Sequence, residues 1–200
     1  MDIRDSTPAE DRAVEGVVSA AFGELANGRV VQMMRALQGS GAARTSLVAV
    51  VDEELVGHAG LSRGWVDARR ELVKVMVLSP LSVRPDRQDK GVGTALVAAA
   101  LEAAAGDGAP AVFLEGSPRY YGRRGFSFAS ALGFERPSTR IPDLGFQVAL
   151  LSSHQPWMIG RVIYPEAFWT TDTVGLRDPE LEQVEAQVAS WRAGEGAPER

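Results

Sequence analysis

The chain has 200 residues, enough for one domain with a substantial core, and 45% of them are hydrophobic against 24% charged, which is the balance of an ordinary globular protein. It has no cysteine, which excludes disulfides, thiolate metal sites and a cysteine nucleophile, and only two histidines, His58 and His154, which argue against a multi-histidine metal centre. A net charge of −5 disfavours nonspecific nucleic-acid binding and favours neutral or cationic small partners.

In chain order, the N-terminus is charged from Asp2 and Arg4 onward and lacks the apolar core of a signal peptide. No apolar stretch approaches the roughly 18 residues needed to span a bilayer. A cytoplasmic protein without a membrane anchor is expected. After a short first strand, Pro8-Ala9-Glu10 starts a helical pattern with Val14, Val17, Val18, Ala21 and Phe22 on one side. Gly23 to Gly28 breaks it. Val30 to Leu37 reads as a second helix ending at Gly39, and residues 40–44 as a loop. Ser46 to Val51 and Leu55 to Leu61 flank Asp52-Glu53-Glu54, a hairpin signal. Gly64 to Arg70 reads as the next turn and Leu72 to Val83 as a long strand, in which Pro80 demands a bulge or an edge.

Then comes the most informative stretch, Leu81-Ser82-Val83-Arg84-Pro85-Asp86-Arg87-Gln88-Asp89-Lys90-Gly91-Val92-Gly93-Thr94. It reads as strand, turn, glycine loop and helix. Glycines at the mouth of a helix let the backbone approach a ligand, and the free N–H groups of the first turn, with the helix dipole, favour a phosphate. No GxxxxGKS/T is present, and Gly91-Val92-Gly93 is followed by Ala95-Leu96 where a dinucleotide fingerprint wants another glycine. Thr94 to Ala105 is an alanine-rich helix stopped by Gly106-Asp107-Gly108. Ala111 to Leu114 is a fifth strand, Pro118 to Arg124 a short helix and Gly145 to Leu151 a late strand. Asp178-Pro179 opens an amphipathic helix at about 178–193, carrying Leu181, Val184, Val188 and Trp191. That stripe packs on its own domain or forms a homodimer contact. Alternating strands and helices make the class α/β with a mixed sheet.

Gln88-Asp89-Lys90-Gly91-Val92-Gly93 resembles the Q/R-x-x-G-x-G/A signature of the GNAT N-acetyltransferase superfamily, and Tyr121-Gly122-Arg123-Arg124-Gly125-Phe126 its Y-x-x-x-G-F element. Ile3 to Asp11 is similar to many first strands of that superfamily, and Val162-Ile163-Tyr164-Pro165 to the extra terminal strand of one of its subgroups. The resemblance covers residues 1–165 and leaves 166–200 as a C-terminal extension. It implies a mixed, mostly antiparallel sheet with a splayed central strand pair, flanked by helices, and acetyl-CoA as acyl donor. Leu81, Ser82 and Val83 would then offer backbone groups to the pantetheine arm. The amides of Asp89, Lys90, Gly91, Val92, Gly93 and Thr94 would wrap the pyrophosphate. Asp89 departs from the basic residues common there, while Lys90 and Arg87 remain.

Tyr121 occupies the position of the family's general acid; the bland alternative is a core tyrosine. The resemblance supplies no position for a base. Glu115, at the end of the fifth strand, is the tentative one, with Glu71 a further option and His58 expected to be a core histidine. The acceptor would be a primary amine, of a small molecule rather than a peptide. Two alternatives stay open: a non-catalytic acyl-CoA sensor, and a subunit that works only inside a complex.

Overall fold

The computed structural model describes residues 1–23 and 28–175. The expected helix at about 178–193 lies outside the described residues. Strand β1 (Asp2–Asp5) leads through a 3-10 turn at Pro8–Glu10 into α1 (Asp11–Phe22) and α2 (Arg29–Gly39). Strands β2 (Ala43–Val51), β3 (Glu54–Ala68) and β4 (Leu72–Val83) form an antiparallel meander. Helix α3 (Val92–Gly106) crosses to β5 (Ala111–Glu115), and α4 (Pro118–Tyr121) runs into a 3-10 turn at Gly122–Arg124. Strands β6 (Ser127–Phe128), β7 (Phe134–Glu135), β8 (Phe146–Leu150) and β9 (Gly160–Ile163) and helix α5 (Glu166–Thr170) complete the described part.

One sheet runs in the order β1-β2-β3-β4-β5-β8-β6, with β9 pairing β3 and β7. All pairings are antiparallel except β4–β5 and β7–β9. The mixed, mostly antiparallel α/β expectation is met. Alternate residues of β5 show how the two faces are filled. Ala111 and Phe113 face a core made with α1, α2 and α5, containing Val14, Val18, Met33, Leu37, Phe146 and Phe168. Val112 and Leu114 face the other, with Leu96, Val97, Ala100 and Ala104 of α3. The small residues let α3 sit close: a Cβ on Gly57 of β3 would come within 2.9 Å of Leu96 Cδ1.

Two sequence readings are corrected. The loop assigned to 40–44 is shorter, because β2 already starts at Ala43. Gly64 opens no turn: β3 continues to Ala68, and the turn lies after it. A Cβ at Gly64 would lie 3.0 Å from Val77 Cγ2 and 3.1 Å from the Ile163 carbonyl. That glycine serves the close approach of β9 and not a reversal of the chain.

The central pair β4–β5 is what positions the site. Its register covers only Met76–Val112 and Val77–Phe113, after which the strands part. Pro80, preceded by a cis Ser79–Pro80 bond, falls where the β3–β4 register slips between Ala59 and Leu61, so the missing N–H interrupts no regular ladder. Beyond it Leu81, Ser82 and Val83 still pair with Ala59, His58 and Gly57 of β3, while their other side opens on the gap.

Candidate active site

At the mouth of this gap the chain curls. Asp89 (φ 58°) and Gly91 (φ 83°) are both left-handed, and Gly91 caps α3 by accepting the Ala95 N–H at 3.1 Å. The amides of Val92, Gly93 and Thr94 are therefore unspent by the helix and gather at its positive end, a main-chain anion cradle. The Gln88 side chain ties the loop to the strand by donating to the Val83 carbonyl at 3.1 Å. The basic residues beside it are engaged elsewhere. Arg84 grips Asp86 through two bonds of 2.9 and 2.7 Å, Arg87 reaches Glu54 at 3.3 Å, and Lys90 donates to the Asp86 carbonyl at 2.9 Å. An anion placed at the helix mouth would meet backbone N–H groups rather than these side chains.

The cleft has a volume of about 320 Å³ and is lined by Leu81, Val83, Gln88, Asp89, Gly91, Gly93, Thr94, Ser117, Tyr120, Tyr121 and Arg124. Of the sequence candidates, Leu81, Val83, Asp89, Gly91, Gly93, Thr94 and Tyr121 thus converge. Three others do not line it with side chains. Ser82 is 1% exposed with an unpartnered hydroxyl among the described residues, Val92 is buried in the α3 core, and Lys90 is turned back on the loop.

The far wall is built from α4. Ser117 opens the turn, its carbonyl accepting the N–H groups of Tyr120 and Tyr121 at 3.1 and 3.0 Å. The Tyr121 ring lies over Gly116 and meets Phe126 edge-on at 5.7 Å. Gly116 is itself fixed from below: its N–H donates to the Gly145 carbonyl at 2.9 Å, and buried Gln147 donates to its carbonyl at 2.9 Å. Arg124 stacks on the Tyr120 ring, 3.5 Å from its centroid, and donates to Thr94 Oγ1 at 2.7 and 3.1 Å and to the Tyr120 carbonyl. It pins the wall to the first turn of α3. The sequence motifs single out neither Tyr120 nor Arg124. The only available signal was an arginine directly before Gly125-Phe126.

Glu115 stands outside this cleft, at the parting end of β5, on the sheet face that carries Phe113. Loss of solvent pushes its carboxyl up to about 7, held back by the Gly175 N–H, which donates to Oε2 at 2.9 Å, and by Tyr164 and Arg140. Tyr164, 3% exposed, turns its phenol close enough for the two groups to couple, without reaching good hydrogen-bond geometry, and its own acidity is strongly suppressed by burial. Glu71 sits exposed at the opposite end of β4 and takes no part. His58 is 1% exposed, its Nε2 3.0 Å from Ser46 Oγ, and burial lowers its pKa to about 4, as for a core histidine. Among the described residues no group of three or more His, Cys, Asp or Glu could hold a metal ion, and no helix is long and apolar enough to cross a membrane.

Residues 20–126 match the model of the acetyltransferase (GNAT) family. Over 81 residues the chain is 33% identical to an uncharacterized N-acetyltransferase, YjhQ, of Escherichia coli (strain K12), a match covering 40% of this chain and 45% of that protein. The chain thus spans less than half the length of that curated relative. A GNAT family acetyltransferase of Brucella melitensis, solved in complex with acetyl-CoA, is 29% identical with a TM-score of 0.68, covering 84% of this chain and 97% of that one. In fold the chain is also similar to YhbS of Escherichia coli, solved in complex with CoA, with a TM-score of 0.75 at 24% identity over 84% of this chain and 91% of that one.

Proposed function

The chain belongs to the acetyltransferase (GNAT) family, and on that premise we propose that it moves an acetyl group from acetyl-CoA to a primary amine of a small molecule by direct attack in a ternary complex. The observation that carries this reading is the junction of three features in one cleft: the parted β4–β5 pair, the amide cradle at the start of α3, and the Tyr121 phenol. The amides of residues 89–94 take the pyrophosphate. The pantetheine amides take the place of the missing strand beside Leu81, Ser82 and Val83, and the thioester reaches the point where β5 ends.

There Tyr121 packs on one face of the sheet, and Glu115, by the alternation of β5, lies on the other. Glu115, poised near neutrality, removes a proton from the amine nitrogen. The nitrogen then bonds to the thioester carbonyl carbon, the C–S bond breaks, and the Tyr121 O–H gives its proton to the departing sulfur. Products are an amide and CoA thiol. The proton Glu115 takes is that of the ammonium form. Once the N–C bond has formed, the second proton leaves the now acidic nitrogen and replaces the one Tyr121 gave to sulfur. Glu115 releases its proton to solvent, so that ammonium and thioester become amide, CoA thiol and one proton. The chain's place of action in this reading is the cytoplasm. A thiol-release screen across amines, polyamines, amino acids and peptides tests the reading. Acceptor-dependent release supports it; acetyl-CoA binding with no release from any acceptor overturns it in favour of a sensor.

A further inference from the structure

Next to Glu115 lies a charged cluster that acetyl transfer as such does not require. The segment after α5 folds over the end of β5, and Gly175, left-handed at φ 69°, is wedged between the Glu115 carboxyl and the backbone of Arg140, whose Cβ and carbonyl oxygen would each lie 2.9 Å from an added Cβ. Three residues earlier, Asp172 sits at φ 53°, in the left-handed region that aspartate tolerates better than most side chains. Its carboxylate accepts from two guanidiniums, Arg140 and, at 2.9 Å, Arg29 at the start of α2. Two cations share the Asp172 carboxylate, and Arg140 also lies close enough to act on the Glu115 carboxyl. Each arginine binds Asp172 through a single nitrogen, which among the described residues leaves most of its five N–H donors unspent. Arg140 and Arg29 are both solvent-accessible, at 48% and 38% side-chain exposure, so a ligand can reach them.

We propose that the acceptor carries an anionic group, a carboxylate or a phosphate monoester, within a few bonds of the amine it presents to Glu115, and that Arg140, assisted by Arg29, receives that group. This rests on the reading of Glu115 as the base in acetyl transfer. Glu115 takes the amine through the oxygen that Gly175 leaves open, and the anion lies one residue's width away against Arg140. A guanidinium suits either anion because its planar fork matches both. A hydrogen bond to a charged partner is worth about 10- to 100-fold in affinity, which sets the size of the expected preference.

The test uses the whole chain and matched acceptors differing only in the anion: phenylalanine against phenethylamine, lysine against cadaverine, and O-phosphoethanolamine against ethanolamine. Thiol release should show kcat/KM higher by at least about tenfold for the anionic member of one series, the difference lying mainly in KM. The series that shows it tells carboxylate from phosphate. Arg140→Gln should collapse that ratio toward one, and Arg140→Lys should keep part of it, an outcome that mere support of the fold does not predict. Calorimetry on the CoA-bound chain gives a readout without turnover: N-acetylphenylalanine or N-acetylphosphoethanolamine should bind more tightly than its uncharged counterpart. Equal or better use of the bare amines in every series overturns this inference and leaves acetyl transfer standing. Failure of every amine, charged or not, removes acetyl transfer itself. The wild-type comparison decides even if an Arg140 variant does not fold.

Discussion

Tyr121 rests on Gly116 so closely that a Cβ built on the glycine would lie 2.3 Å from the ring atom Cε2. The phenol's position over the end of β5 therefore depends on the absence of one methyl group. Tyr121→Phe keeps the ring and removes only the proton donor, so acetyl-CoA affinity should change little. General acid catalysis contributes on the order of 10²–10⁴-fold, so acceptor-dependent kcat should fall at least about tenfold. Tyr120→Phe should be mild. Gly116→Ala should reproduce much of the Tyr121→Phe defect by displacing an intact tyrosine. Steady-state kinetics on the three variants checks this, and near-normal kcat for Tyr121→Phe would make the tyrosine structural.

The cradle can be blocked at its centre. Nothing lies within 4 Å of a Cβ built on Gly91, so Gly91→Glu meets no steric obstacle beyond its left-handed backbone, a cost of about 1 kcal/mol. The chain should still fold, but the carboxylate would occupy the pyrophosphate's place. Calorimetry should show CoA binding abolished with the circular dichroism spectrum kept. Unchanged affinity sinks the cofactor assignment.

Glu115 gives the rate a pH dependence. With a folded-state pKa of about 7, the basic form grows as pH rises through neutrality. Acceptor-dependent kcat at saturating amine should rise about tenfold per pH unit below 7 and level off above it. Glu115→Gln should remove that acidic limb and lower kcat, while acetyl-CoA binding persists. A wild-type profile flat from pH 5.5 to 8 would exclude this carboxylate as the base.

The same group and His58 pull stability in opposite directions. Glu115 binds its proton more tightly when folded, so its contribution is present below pH 4.5 and lost as pH rises to about 7. His58 is held neutral, so its contribution is present above pH 6.5 and lost as pH falls to about 4. Between roughly pH 4.5 and 6.5 the two slopes oppose, and the melting temperature of the wild type should be nearly level. Glu115→Gln should unmask the histidine: its Tm should climb with pH across that window and exceed wild type above pH 7, by roughly 3 kcal/mol in unfolding free energy. Paired acids such as Glu10, lowered to about 2 by Arg4 and Thr7, act below this window.

The parts of this site that could be read from sequence are those encoded by neighbours in the chain. Gly91 and Gly93 announce a loop at a helix mouth within a dozen residues, and Tyr121 keeps its place before Gly125-Phe126. Glu115 was visible as a strand-end carboxylate. Its raised pKa was not, because burial is a product of the tertiary fold, and the partners that moderate the rise, Tyr164 and Gly175, stand 49 and 60 positions away. The Arg29–Asp172 pair spans 143 positions and leaves no local trace. Gly64 misled for a complementary reason: a glycine that admits a neighbouring strand has the same letter as one that turns the chain. Arg124 stands in an amphipathic turn where any long residue could serve, and only its stack on Tyr120 reveals its use.

A sheet that parts in its middle has four borders instead of two. The inner pair, along the ends of β4 and β5, carries backbone donors and acceptors with no strand opposite, the condition under which chains pair with one another. Acetyl-CoA bound as proposed would also cover these groups, so light scattering should show less self-association with it than without it. Its occupancy should raise unfolding free energy by about 2.7 kcal/mol at a concentration a hundred times Kd. A preparation stripped of cosubstrate is the form in which self-association through the open seam would begin.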